Sequence, residues 1–291
     1  MLDLDKLDII KRLTIIAIFS DDDLMDYFVL KGGNALDIVY NIADRASLDL
    51  DFSTDRSFSN AEVCVVEEKI HKVLTDTFRA NGFEAFDIQF KQVPESTKLP
   101  APDFWGGYLI EFKVIEKSKF TALQNDQRAL RTNAIEAGPE HRRKFKISIS
   151  KLEYCAPKEP RELDDYTIYV YTPEMILFEK LRAICQQMPE YGPNTTPAAR
   201  ARDFFDIYTV VEHFRIDLLT SQSMTLLKNI FEAKKVPLSL IGNIKEYREY
   251  HRPDFASVEA TVKPNRKLKD FDFYFDYVIQ KCERLKSLWE K

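Results

Sequence analysis

Two short stretches of this chain carry the residue types that phosphate and metal chemistry require. In Leu48-Asp49-Leu50-Asp51-Phe52 acidic and apolar residues alternate. A β-strand would therefore present Asp49 and Asp51 on one face and the three apolar side chains on the other. Two carboxylates side by side on a solvated strand repel each other, and aspartate is a poor strand former. A divalent cation removes that conflict, because Mg²⁺ takes hard oxygens from one or two carboxylates and fills its shell with phosphates and water. Upstream, Gly32-Gly33-Asn34 ends an apolar run. Neither glycine has a Cβ to keep a ligand away from the backbone. Asn34 is expected to cap a following helix with Ala35, Leu36, Val39 and Tyr40 on its apolar face, and the start of such a helix suits a phosphate.

The bulk of the chain must hold these stretches in place. With 291 residues and 45% hydrophobic content it is long enough for two domains with real cores. No segment approaches the roughly 18 uninterrupted apolar residues of a membrane span. The amphipathic start MLDLDKLDIIKRL does not have the layout of a signal peptide. Cys64, Cys155, Cys185 and Cys282 lie far apart with no paired spacing, which points to reduced thiols and a cytoplasmic protein. A net charge of −5 argues against non-specific coating of nucleic acid, although a local basic groove is compatible with it.

Taken in order, residues 4 to 20 have a helical period, and Asp21 is expected to cap a short helix before Phe28. Residues 59 to 81 give a second amphipathic helix stopped at Asn81-Gly82. Strands are expected at 86 to 92, 108 to 115 and 144 to 150, with a polar, basic-faced helix over 117 to 137. The run His141-Arg142-Arg143-Lys144 reads as a solvated loop or as a contact to a nucleic-acid backbone. Glu111 is a possible extra carboxylate. Near residue 171 the alternating pattern gives way to helices, the first capped by Thr172 with Pro173 in its first turn. Asp270 and Asp272 imitate the Asp-x-Asp pattern, but Phe271, Phe275, Val278 and Cys282 around them recur at helical spacing, which assigns the pair to a solvated helix face.

The string Lys31-Gly32-Gly33-Asn34-Ala35-Leu36, followed by Arg45-x-Ser47-x-Asp49-x-Asp51-Phe52, resembles the polymerase-β-like nucleotidyltransferases and, more narrowly, their AbiEii/AbiGii toxin branch. Glu179-Lys180-Leu181-Arg182-Ala183, with Arg200-x-Arg202-Asp203-Phe204-Phe205-Asp206-Ile207-Tyr208 some twenty residues on, resembles the same toxins. The likeness covers roughly residues 28 to 210. It implies an α/β (α+β) architecture: a nucleotidyltransferase core with a mixed sheet over 1 to 170, and a helical C-terminal domain over 171 to 291 that completes the active-site cleft. It further implies transfer of NMP from an NTP to an acceptor hydroxyl, on RNA such as tRNA or on protein, with release of pyrophosphate. Asp49 and Asp51 would hold Mg²⁺; Gly32, Gly33, Asn34, Ser47, Lys180, Arg200 and Arg202 would hold the nucleotide; Lys180 and Asp203 would join the two aspartates in catalysis, with Asp206 structural. The setting implied is the toxin of a bacterial toxin–antitoxin or phage-defence pair, with a cognate antitoxin as partner and no membrane. The superfamily's third carboxylate sits on a later strand, where this chain has Ser148, so either Glu111 substitutes or two aspartates act alone. The same departure supports a second reading, a nucleotide-binding regulatory protein of this fold without catalysis.

Overall fold

The computed structural model describes residues 3–42, 49–94, 102–138, 140–194, 196–262 and 267–289. The chain divides into two compact units, one of residues 1–39, 47–101 and 106–170, the other of 40–46, 102–105 and 171–291.

The first unit is built on a mixed seven-stranded sheet. It opens with α1 (Leu4–Phe19), capped by Asp3, and α2 (Asp22–Tyr27), capped by Asp21 as its Asp run predicts. β1 (Val29–Lys31) then leads into a single helical turn, α3 (Gly32–Asn34), which widens into π-type turns over Ala35–Val39. β2 (Leu50–Ser53) and the long α4 (Asn60–Ala80) follow, the latter started by a capping box between Ser59 and Glu62. β3 (Phe83–Val93) and β4 (Gly107–Glu116) form a hairpin pair, kinked in β3 between Phe86 and Gln89. The polar segment after β4 is not one helix. It is two, α5 (Lys117–Leu123) and α6 (Gln127–Asn133), because Asp126 turns its carboxylate onto the amide of Ala129 and starts a new helix. β5 (Phe145–Ser150), β6 (Glu159–Leu163) and β7 (Tyr166–Val170) complete the sheet in the order β3-β4-β5-β2-β1-β7-β6. β2 runs parallel to β5 and β1 parallel to β7, while the other neighbours are antiparallel.

The register separates the two faces of this sheet. Leu30 pairs with Phe52, Phe52 with Ile149, and Ile149 with Tyr108, so one face is apolar across four strands. α1 and α4 cover it, Phe19 packing on Phe52 and Phe78 on Phe112. Lys31 pairs with Asp51, Asp51 with Ser148, and Ser148 with Leu109, which places the polar residues on the opposite face.

The second unit is helical: α7 (Pro173–Cys185), α8 (Ala201–Phe214), α9 (Ser221–Ala233), the short α10 (Leu240–Asn243), α11 (Arg248–His251) and α12 (Phe255–Glu259), and α13 (Phe271–Glu283). Thr172 caps α7 with Pro173 in its first turn, as the sequence predicts. Phe204, Phe205, Phe231, Tyr274 and Phe275 are fully buried in its core. Segments of the first half of the chain join this unit: the Tyr40 hydroxyl donates to the carbonyl of Tyr171 (2.8 Å), and Lys234 Nζ donates to the carbonyl of Phe104 (2.8 Å). Asp270 caps α13, and Asp272 is bound by Arg248 and Arg252 in an ion-pair network, so both imitators of the motif have structural work on this helix. No helix among the described residues is long and apolar enough to cross a membrane.

Candidate active site

The alternation that singles out Asp49 and Asp51 survives in three dimensions. Asp51 lies within β2 on the polar face, between its cross-strand neighbours Lys31 and Ser148. Asp49 is two residues earlier, at the bend just before the strand begins, with its side chain 48% exposed. Gly32 abuts Asp51 directly: a Cβ placed on it would lie 2.9 Å from Oδ2 of that aspartate, and its φ of +72° is left-handed. Only glycine meets both demands. Gly32→Ala should therefore cost about 1–2 kcal/mol in backbone strain alone. It should also push the Asp51 carboxylate out of place. A melting temperature several degrees lower is the expected outcome of a thermal-shift comparison with the native chain.

Asn34 does not cap a helix. It lies inside the turn that Gly32 begins, fully buried, and donates its side-chain amide to the backbone carbonyl of Asp49 (2.5 Å). Its own Oδ1 is buried without a hydrogen-bond partner. The residue thus ties the glycine turn to the start of the aspartate strand, across 15 positions of sequence. Gly33 lies in the same turn, and Ser47 lies outside the described residues.

The register locates both positions raised for a third carboxylate. Ser148 is the exposed cross-strand partner of Asp51 on β5, where a third carboxylate would stand. Glu111 is on the same face of the sheet, but two strands from β2 and bound by lysines: Lys91 at 2.9 Å, Lys144 at 3.2 Å and Lys146 at 3.9 Å. Lys91 first, and Lys144 with it, hold the Glu111 carboxyl below the usual carboxylate range against the opposing effect of burial. Among the described residues no group of three or more His, Cys, Asp or Glu is placed to hold a metal.

Two cations that act on Asp49 are not evident from the motifs. Arg142, from the basic run before β5, reaches Asp49 Oδ1 with its Nη2 at 3.0 Å. Lys11 is buried on α1, and burial lowers its pKa although Asp37, Asp8 and Asp49 draw it up. Its signal is in the sequence: a lysine four residues after Leu7 and next to Ile10 falls on the apolar side of an amphipathic helix.

In the helical unit, Lys180 on α7 is buried between two aspartates of α8, its Nζ 3.0 Å from Asp203 Oδ1 and 2.7 Å from Asp206 Oδ2. The i, i+3 spacing of Asp203 and Asp206 puts both on one side of the helix. Arg200 approaches Asp203 from the start of α8, with Nε 3.4 Å from Oδ2, while Arg202 points to the Ser257 hydroxyl (2.9 Å). His251 closes the group: its Nδ1 accepts the backbone N–H of Arg200 (3.0 Å), and burial pushes its pKa down to about 4 although Asp203 acts in the other direction. The imidazole is therefore neutral at pH 7, with Nε2 buried and unpartnered. Sequence spacing gives no hint of it, since His251 comes from α11, 51 positions after Arg200.

In the first unit the turn begun by Gly32 thus lies directly against the strand that carries Asp51. The family described as "Nucleotidyl transferase AbiEii toxin, Type IV TA system" matches residues 14–277, and the chain belongs to that family. The crystal structure of JHP933 from Helicobacter pylori is similar in fold, with a TM-score of 0.51 and 17% identity over 100% of this chain and 95% of that one. An H. pylori protein assigned as a nucleotidyltransferase aligns over 98% of this chain and 95% of its own at 17% identity, TM-score 0.48. An antigenic nucleotidyltransferase-like protein from Paracoccidioides brasiliensis aligns over 81% of this chain and 94% of its own at 13% identity, TM-score 0.39. A comparison with curated proteins gives no match.

Proposed function

We propose that this chain transfers a nucleoside monophosphate from an NTP to a hydroxyl of an RNA acceptor such as tRNA, releasing pyrophosphate. In this reading it acts in the cytoplasm as the toxin of a bacterial toxin–antitoxin pair, in phage defence, and a cognate antitoxin restrains it. The observation that carries the reading is the contact of Gly32 with Asp51 together with the Asn34 bond to Asp49, which joins a backbone stripped of Cβ atoms to two carboxylates of the same strand parity.

Asp49 and Asp51 suit Mg²⁺, since two hard carboxylates without a third leave coordination positions for phosphate oxygens and water. Bound there, the ion would neutralise phosphate charge and stabilise the leaving oxygen. Gly32 and Gly33 offer backbone N–H groups to the triphosphate, with Ser47 as a further contact. Asn34 serves by fixing Asp49 rather than by reaching outward. Lys180 supplies a compact positive charge for phosphate oxygens, with Arg200 and Arg202 adding to it, and Asp203 orients the ammonium.

The Ser148 position favours one rival, a nucleotide-binding protein of this fold without catalysis. Incubation with each α-labelled NTP, Mg²⁺ and total RNA separates the two. Label appearing in RNA supports RNA transfer, and label on the protein moves the acceptor to a side chain. Nucleotide that is retained but never transferred would replace the enzyme reading with the rival.

A further inference from the structure

The Arg142–Asp49 ion pair is built into its loop with some care. The amide of Ala137 donates to the carbonyl of Arg142 (2.6 Å), closing the loop on itself after α6. The guanidinium then packs over Gly138, where an added Cβ would lie 2.9 Å from Nε, 3.0 Å from Nη2 and 3.2 Å from Cζ. Nη2 donates to Asp49 Oδ1 at 3.0 Å and to the Ala137 carbonyl at 3.4 Å. Nε is buried and has no hydrogen-bond partner. Neighbouring cations are engaged elsewhere: Arg143 with Glu136 and the carbonyl of Ala134, Lys91 and Lys144 with Glu111. A cation has thus been seated against one of the two candidate metal ligands, with part of its donor fork unmet.

That placement has an electrostatic consequence. A divalent ion coordinated by Asp49 stands about 2 Å from its ligand oxygen, hence within a few ångström of the guanidinium, and the two positive groups repel. A metal–triphosphate complex carries net negative charge, so the same guanidinium attracts it. Its planar fork also matches phosphate oxygens. We propose that Arg142 is the residue that makes this site discriminate against a bare divalent cation and in favour of one that arrives with a nucleotide, its guanidinium passing from Asp49 to the phosphates when the complex binds. The proposal rests on the nucleotidyl-transfer reading of Asp49 and Asp51 and adds to it the order in which the ligands bind.

The test is calorimetric and needs no turnover. The full chain, Arg142→Ala and Arg142→Lys are titrated with Mn²⁺ alone, then with a non-hydrolysable NTP analogue in excess Mg²⁺. Arg142→Ala should bind Mn²⁺ several-fold more tightly, because a repulsive charge is gone, and the nucleotide complex roughly ten-fold more weakly, because a charge-assisted phosphate contact is gone. Arg142→Lys, which keeps the charge and loses the fork, should hold Mn²⁺ as the native chain does and still lose part of the nucleotide affinity. It also serves if the alanine variant does not fold. Shifts of the same sign for both ligands in Arg142→Ala, no shift in either, or native nucleotide affinity in Arg142→Lys would overturn the proposal. Asp51→Asn is the control for the underlying reading. If it leaves the Mn²⁺ titration unchanged, the metal is not on this strand and the proposal falls with that assignment; if it abolishes binding while the Arg142 variants misbehave, only the role of Arg142 falls.

Discussion

Asp51→Asn should remove nucleotide transfer, by a factor on the order of 10³, while the protein melts within about two degrees of the native chain. In the proposed reading the substitution keeps the shape of the side chain and removes one of the two charges that would hold Mg²⁺, so the loss is large. Electrostatic stabilisation at a reacting phosphate is worth several kcal/mol. The small effect on stability follows from where Asp51 sits. It is half-buried at the polar face, its cross-strand neighbours are Lys31 and exposed Ser148, and Phe52 beside it makes the core contacts. A near-isosteric change at a position that makes no core contacts is typically worth about 0.5–1 kcal/mol, and in a chain of this size 1 kcal/mol corresponds to a few degrees at most. Asp49→Asn should be equally inactive but less well ordered locally, since Arg142 would lose its charged partner. Transfer assays with each variant, alongside thermal melts, check both halves. More than a tenth of native activity in folded Asp51→Asn would remove the metal role from this strand.

How much of this was legible in the sequence depended on whether the information was local. Strand parity is local, and the alternation from Leu48 to Phe52 did place Asp51 opposite the core face that carries Leu50 and Phe52. Cap signals are local too, which is why Asp21 and Thr172 read correctly. Asp126 carries the same kind of signal inside a stretch of good helix formers, whose composition predicts one helix where two occur. Pairings across the fold could not be read this way. Asn34 looked like a cap because asparagine favours caps, whereas its amide is taken by a carbonyl 15 residues away. The basic run before β5 announced charge without an address, and only the folded loop sends Arg142 to Asp49, 93 positions earlier. Glu111 had the parity of a third carboxylate, but strand order sets it two strands away and among lysines. Register, strand order and loop closure are properties of pairs of distant segments, and a single sequence does not state them.

Lys180→Ala should lose most of the transfer activity, on the order of 10²-fold or more if the ammonium meets transition-state charge, and it should also melt well below the native chain. The second effect comes from burial. Lys180 is 8% exposed, and its ammonium lies between Asp203 (7%) and Asp206 (4%), so removing it leaves two carboxylates facing each other, with Arg200 beside Asp203. Breaking a buried ion network from one side costs about 3–5 kcal/mol, several degrees or more in melting temperature for a chain of this size. Activity alone then says little, because a partly unfolded helical unit would also be inactive. A second substitution separates the two roles. Lys180→Ala combined with Asp206→Ala removes one charge of each sign and leaves Asp203 paired with Arg200, so the melting temperature should recover a large part of the loss. If Lys180 meets the phosphate as proposed, activity should not recover with it. Thermal melts and transfer rates for the two single variants and the double variant complete the cycle. Recovery of activity in step with stability would make Lys180 a strut between α7 and α8 and would move the charge for the phosphates to another residue, with Arg200 the first to examine.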